Sequence, residues 1–145
     1  MNPKRIIVHH SATKDSQSLS WDDIERAHIK RGFVDIGYHY GVEQVEDSYQ
    51  SLIGRPVVHQ GAHCKGHNED SIGICVIGNF NFGRKSMLQI DKTAELLATL
   101  CVVHHIPVQY IYKHRDFTAT DCPGKNFPWA YLIQSVIEWI RTSEE

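Results

Sequence analysis

The stretch Ser71-Ile72-Gly73-Ile74-Cys75-Val76-Ile77-Gly78 constrains this chain more than any other. It is almost wholly apolar, rich in β-branched residues and punctuated by glycine. A strand with no polar face must be covered on both sides. This run therefore reads as the central strand of a sheet covered by helices.

The rest of the chain supplies the other parts. Arg5-Ile6-Ile7-Val8 is a short buried strand. The alternating segment 37–42, Gly-Tyr-His-Tyr-Gly-Val, reads as another, and Tyr49 to Ile53 as its partner across the acidic turn Glu43 to Asp47. Tyr110-Ile111-Tyr112 is a last strand. Ser20-Trp21-Asp22-Asp23 resembles a capping box. The helix after it should bury Trp21, Ile24 and Ala27 or His28, and stop at Gly32. Ser86-Met87-Leu88-Gln89 is a second capping box, followed by Ile90, Ala94, Leu97, Cys101 and His104 at helical spacing, with Pro107 beyond. Pro128 suits a first helical turn, and the last helix should bury Trp129, Leu132, Ile133, Val136, Ile137 and Ile140. Ser11 to Leu19 and Asn79 to Lys85 read as polar connections. Gln60 to Asp70 is a loop longer than a simple connection needs. The expectation is one α/β domain over residues 1–145.

Composition narrows the function. A net charge of −2 and a pI near 6.5 give no strong field for nucleic acid or a membrane surface, so neither is an expected partner. No segment approaches a membrane span. The four cysteines do not make a dense framework and are expected as thiols. Lys4-Arg5 precedes only three apolar residues before His9, too few for an export signal, so synthesis in the cytoplasm is expected.

Ten histidines point to a ligand role for some of them. His114 closes the strand Tyr110–Tyr112, and Cys122 precedes the turn-forming Pro123-Gly124. An imidazole and a thiolate on a returning loop suit Zn²⁺, and a catalytic zinc takes three protein ligands. The third is His9 or His10, because both end a strand and neither fits its core pattern. Tyr38 and His39 should point to opposite faces of their strand. Tyr38 is either a core phenol or an oxyanion donor. Thr120, two residues before Cys122, is either a loop hydroxyl or a partner of the ligand. His63, His67 and Asn68 are either solvated or line a groove for a polar substrate. His28, His59, His104 and His105 read as structural or surface residues.

Several motifs occur in order: Val8-His9-His10-Ser11-Ala12-Thr13, Gly37-Tyr38-His39-Tyr40, Gly54-Arg55-Pro56, Gly61-Ala62-His63, Asn68, Ser71-Ile72-Gly73-Ile74, Ile77-Gly78-Asn79-Phe80, His114-Arg115-Asp116 and Cys122-Pro123-Gly124. Together they resemble the zinc-dependent N-acetylmuramoyl-L-alanine amidases of the type-2 amidase and peptidoglycan-recognition superfamily, with the phage-type enzymes as nearest branch. The resemblance runs from about Arg5 to Gly124. It implies a mixed central sheet flanked by helices, and a groove whose floor holds Zn²⁺ on His9, His114 and Cys122. It places Tyr38 and Thr120 in the catalytic apparatus, and His63, Asn68 and His39 beside substrate. The implied substrate is peptidoglycan, cut at the amide joining the lactyl group of N-acetylmuramic acid to L-alanine. The resemblance implies that the protein meets the wall after lysis or by a separate export route; a monomer is expected. Two positions differ from the family's pattern: Cys75 stands where one branch carries a Glu base, and Thr120 where phage members carry a Lys. The rival readings are a recognition domain without catalysis, a structural zinc site, and a Cys122–His114 thiol nucleophile.

Overall fold

A computed structural model describes residues 1–13, 20–83 and 86–144. Most of the polar connection expected over Ser11 to Leu19, and the end of that expected over Asn79 to Lys85, lie outside the described residues.

Among the described residues, five strands form one sheet: β1 (Arg5–His10), β2 (Tyr40–Val45), β3 (Ser48–Ile53), β4 (Ser71–Val76) and β5 (Ile111–Lys113), in the order β3-β2-β4-β1-β5. β2 and β3 form an antiparallel hairpin at one edge. β2, β4, β1 and β5 run parallel to one another. The all-apolar run is the central strand, as expected, and every residue of it is buried. The first residue of β1 pairs with the first of β4, so Ile7 lies beside Gly73 and His9 beside Cys75.

Alternation divides β1 and β4 between two cores. Ile6, Val8, Ile72, Ile74 and Val76 pack under α2 (Met87–His104) and α3 (Trp129–Ser143). On the opposite face Cys75 and Ile77 meet Trp21 and Ile36, with α1 (Trp21–Lys30) as cover. His9, the cross-strand neighbour of Cys75, belongs to this second face.

The helix signals hold, with local differences. The Ser20 amide donates to the Asp23 carboxylate at 2.8 Å, as a capping box requires. α1 ends in a Schellman turn: Gly32 has φ +100°, and the Phe33 amide donates to the His28 carbonyl at 3.0 Å. The second box is half made. Ser86 accepts from the Leu88 amide, but Gln89 turns inward and donates to the Ile77 carbonyl at 2.6 Å. In α3, Ile137 is 43% exposed rather than buried, because Leu132 and Val136 already fill the stripe that faces α2. Tyr38 and His39 precede β2 instead of lying within it, and Tyr110 ends a 3-10 turn before β5. All four cysteines are buried free thiols.

Leu97 is fully buried in the α2 core. Leu97→Ala is expected to cost about 2–5 kcal/mol of stability, through lost apolar burial and the cavity left behind. Urea unfolding would show this as a lower midpoint with an unchanged slope.

Candidate metal centre

The parallel strands bring the site together at their carboxyl ends, where ligands of open α/β sheets bind. His9 and His10 end β1. β5 lies beside β1 and stops at Lys113, so the next residue, His114, emerges next to His9. His114 opens a 3-10 turn, His114–Asp116, and the chain returns through Thr118 to Cys122. The Asp116 carboxylate accepts from the Lys113 amide at 2.9 Å and holds that turn.

Three donor atoms converge. His9 Nδ1 lies 3.1 Å from His114 Nδ1 and 3.7 Å from Cys122 Sγ. All three ligand atoms fall within 4.8 Å of one another. A tetrahedral zinc with ordinary bond lengths sets its nitrogens about 3.3 Å apart and nitrogen from sulfur about 3.6 Å. The observed spacings match those lengths, so this donor set fits one zinc ion. Three protein donors leave the fourth position for solvent or substrate.

Electrostatics favour ligand forms of both imidazoles. Burial, then the neighbouring His63 and His114, hold His9 well below the ordinary imidazole range, and burial lowers His114 too. Both rings are therefore neutral at pH 7, as metal ligation requires. Burial pushes the Cys122 thiol up to about 11, against the opposing pull of the His10 amide and Arg115. A metal must displace that proton. The His10 amide, 3.4 Å from Sγ, is already placed to donate to the thiolate that results. The ring of His10 serves the fold: its Nδ1 accepts from the Phe80 amide at 3.1 Å.

Tyr38 stands beside the centre, its ring centroid 5.2 Å from that of His9. Burial, then Cys75 and Cys122, hold its phenol well above the ordinary tyrosine range. It stays an O–H donor, hydrogen-bonded with the Cys75 thiol. Thr120 is exposed, and its hydroxyl oxygen accepts from the Cys122 amide at 3.2 Å. His63 lies against His9, with His63 Nδ1 2.9 Å from His9 Nε2.

Two of the residues expected beside substrate make hydrogen bonds within the fold. His39 is completely buried; its Nδ1 accepts from the Gly73 amide at 3.0 Å, and its Nε2 donates to the His59 carbonyl at 2.9 Å. With both nitrogens engaged inside the fold it has no atom to offer a ligand. Asn68 directs its side-chain oxygen at the amides of His63 and Cys64, at 3.0 and 2.9 Å. That oxygen shapes the loop carrying His63. His67 stacks on Phe117 with centroids 4.4 Å apart, joining this loop to the His114–Cys122 segment. His28 is buried and accepts from the Gly37 amide, which helps to place Tyr38.

Sequence reasoning missed two arginines. Arg115 donates to the carbonyls of Asp121, at 3.2 Å, and Gly124, at 2.9 Å, while its amide donates to the Cys122 carbonyl. It clamps the loop that returns Cys122 to His114. Gly124 completes the clamp: at φ +117° it packs so tightly on Phe80 that a Cβ would lie 2.6 Å from its backbone. Arg55 donates to the carbonyls of Ile36, Asp35 and Gln60, binding the Tyr38 segment to the loop before His63. The signal available was an Arg inside a Gly-Pro turn and an Arg beside a ligand. Arg115→Ala is expected to leave the fold intact and weaken zinc binding about 10–100-fold, the usual effect of losing a group that orients a ligand. Competition with a chelator of known affinity measures this.

The mixed sheet gathers two imidazoles and a thiol at its carboxyl edge, close enough to hold one metal ion, with a phenol alongside. The family model described as N-acetylmuramoyl-L-alanine amidase matches residues 1–125, and the chain belongs to that family. It is 32% identical over 124 residues to the endolysin of Enterobacteria phage T3, covering 82% of this chain and 79% of that protein. It is also 32% identical over 127 residues to peptidoglycan-recognition protein SC2 of Drosophila melanogaster, covering 83% of this chain and 67% of the other. Among solved structures, N-acetylmuramoyl-L-alanine amidase LysC from Clostridium intestinale URNW superposes with a TM-score of 0.82 at 29% identity, covering 94% of this chain and 86% of that one.

Proposed function

We propose that this domain hydrolyses the amide between the lactyl group of N-acetylmuramic acid and L-alanine in peptidoglycan, with Zn²⁺ held by His9, His114 and Cys122. The observation that carries the reading is the convergence of those three donors at spacings that suit one ion. Membership of the amidase family supplies the bond to be cut.

When bound, zinc supplies a Lewis acid that polarises the amide carbonyl and lowers the pKa of a water molecule. The chain supplies the rest. His9 and Cys122, both buried, keep solvent from the inner side of the site, while half-exposed His114 borders the open side. Tyr38 donates its phenolic hydrogen to the oxygen on which charge develops as the carbonyl becomes tetrahedral. A phenol is protonated at pH 7, and burial holds this one still further from ionisation. Thr120 accepts from the Cys122 amide, which leaves its hydroxyl hydrogen to be given to substrate. Cys75 does not act as a base, because burial and the neighbouring Cys122 keep its thiol protonated. The enzyme acts as a monomer on the cell wall.

Digestion of purified cell walls followed by mass spectrometry tests this reading. Expected products are stem peptides with a free L-alanine amine and glycan strands left intact, with release blocked by a chelator and restored by zinc. Cleavage at a glycosidic or inter-peptide bond would overturn it. Wall binding without release would favour recognition without catalysis, the alternative that the likeness to peptidoglycan-recognition protein SC2 leaves open.

A further inference from the structure

His63 was expected to line a groove for substrate, but its contacts run inward. The ring lies flat over Gly73 of β4, where a Cβ would come within 2.5 Å of its Cγ and Cδ2. Gly61 is restricted in the same way, its Cβ position lying 2.8 Å from His63 Cδ2. The two glycines and the Asn68 oxygen form a seat for one imidazole.

The hydrogen bonds from that seat have a direction that can be read from its far end. The His67 carbonyl can only accept, so the Ser71 hydroxyl donates to it, at 2.5 Å. Ser71 Oγ, 3.3 Å from His63 Nε2, is then an acceptor. His63 therefore carries its hydrogen on Nε2, and in a neutral imidazole that leaves a lone pair on Nδ1. The group facing that lone pair, 2.9 Å away, is His9 Nε2, which must donate. His9 then presents the lone pair of its Nδ1 to His114 Nδ1 and Cys122 Sγ.

We infer that His63 is a positioning residue: through its Nδ1 it holds His9 in the tautomer and ring orientation that aim His9 Nδ1 at the metal. Ligating histidines generally donate their other N–H to a fixed acceptor, and loss of such an acceptor costs about 10–100-fold in metal affinity. Here the acceptor is another imidazole, itself set by the Ser71 hydroxyl and the His67 carbonyl. This inference rests on the zinc reading above and assigns a role for which His63 touches neither ion nor substrate.

Three substitutions test it, with zinc affinity measured by chelator competition and kcat and KM measured separately at saturating zinc. His63→Leu keeps comparable bulk and removes the acceptor; zinc binding should weaken about 10–100-fold, with KM for soluble wall fragments unchanged. His63→Asn places an amide oxygen near the position of Nδ1 and should recover most of that loss. Gly73→Ala pushes the ring off its seat and should weaken binding as His63→Leu does. Zinc affinity in His63→Leu equal to that of the parent would overturn the inference. So would His63→Asn binding as poorly as His63→Leu, since the ring would then matter only as packing. A rise in KM at unchanged zinc affinity would return His63 to the substrate groove. A parent protein that binds no zinc would sink the zinc reading itself, whereas a zinc-binding parent with an indifferent His63→Leu sinks this inference alone.

Discussion

Cys122→Ser is expected to give a folded protein that retains no stoichiometric zinc and releases no stem peptide from cell walls. A serine hydroxyl is a neutral, hard donor at pH 7, whereas zinc prefers the thiolate that cysteine supplies. The remaining donors, His9 and His114, are two neutral imidazoles, one short of a catalytic set. The loss should exceed the roughly 10–100-fold seen when only an orienting partner is removed. The fold should survive, because the clamp on this loop comes from Arg115 and the contact of Gly124 with Phe80, neither of which uses the sulfur. Elemental analysis of the purified variant decides the matter. Zinc retained at one ion per chain would remove Cys122 from the ligand set.

Tyr38→Phe is expected to lower kcat by about 10²–10³, the usual effect of losing one oxyanion donor, while zinc content and stability stay near those of the parent. The ring packs among Trp21, His28, His9 and His63, and phenylalanine preserves that packing. What is removed is a hydroxyl that burial holds still further from ionisation. Removing it leaves the Cys75 thiol without that partner, at a smaller cost, since a thiol is a weak hydrogen-bonding group. Turnover measured with zinc saturating separates this effect from metal loss. A near-normal kcat would take Tyr38 out of the reaction.

Much of the architecture could be read from local pattern. The run Ser71 to Gly78 announced a doubly covered strand, and Ser20, Gly32 and Ser86 marked helix ends through backbone chemistry that acts over three or four residues. The candidate donors were legible in part for a similar reason: a histidine ends each of two apolar strands at the same end of the sheet, although the choice of His9 over His10 came from the family resemblance. The burial of Ile137 was misjudged because helical periodicity gives a face but not its width, which the packing of α3 on α2 sets. The inward hydrogen bonds of His39 and of the Asn68 oxygen were not legible because their partners are distant or depend on loop shape. The Gly73 amide lies 34 positions from His39, and no sequence pattern shows that a strand glycine leaves an imidazole room on its face. The clamp of Arg115 on two carbonyls was hidden likewise, since backbone acceptors leave no mark in a sequence.

Zinc K-edge X-ray absorption on the purified protein tests the centre most directly. The proposed zinc site requires one zinc per chain with a single sulfur at about 2.3 Å and two imidazole nitrogens at about 2.0–2.1 Å, the shell completed by a light atom. A protein that takes up no zinc, or one whose zinc has no sulfur neighbour, would contradict it.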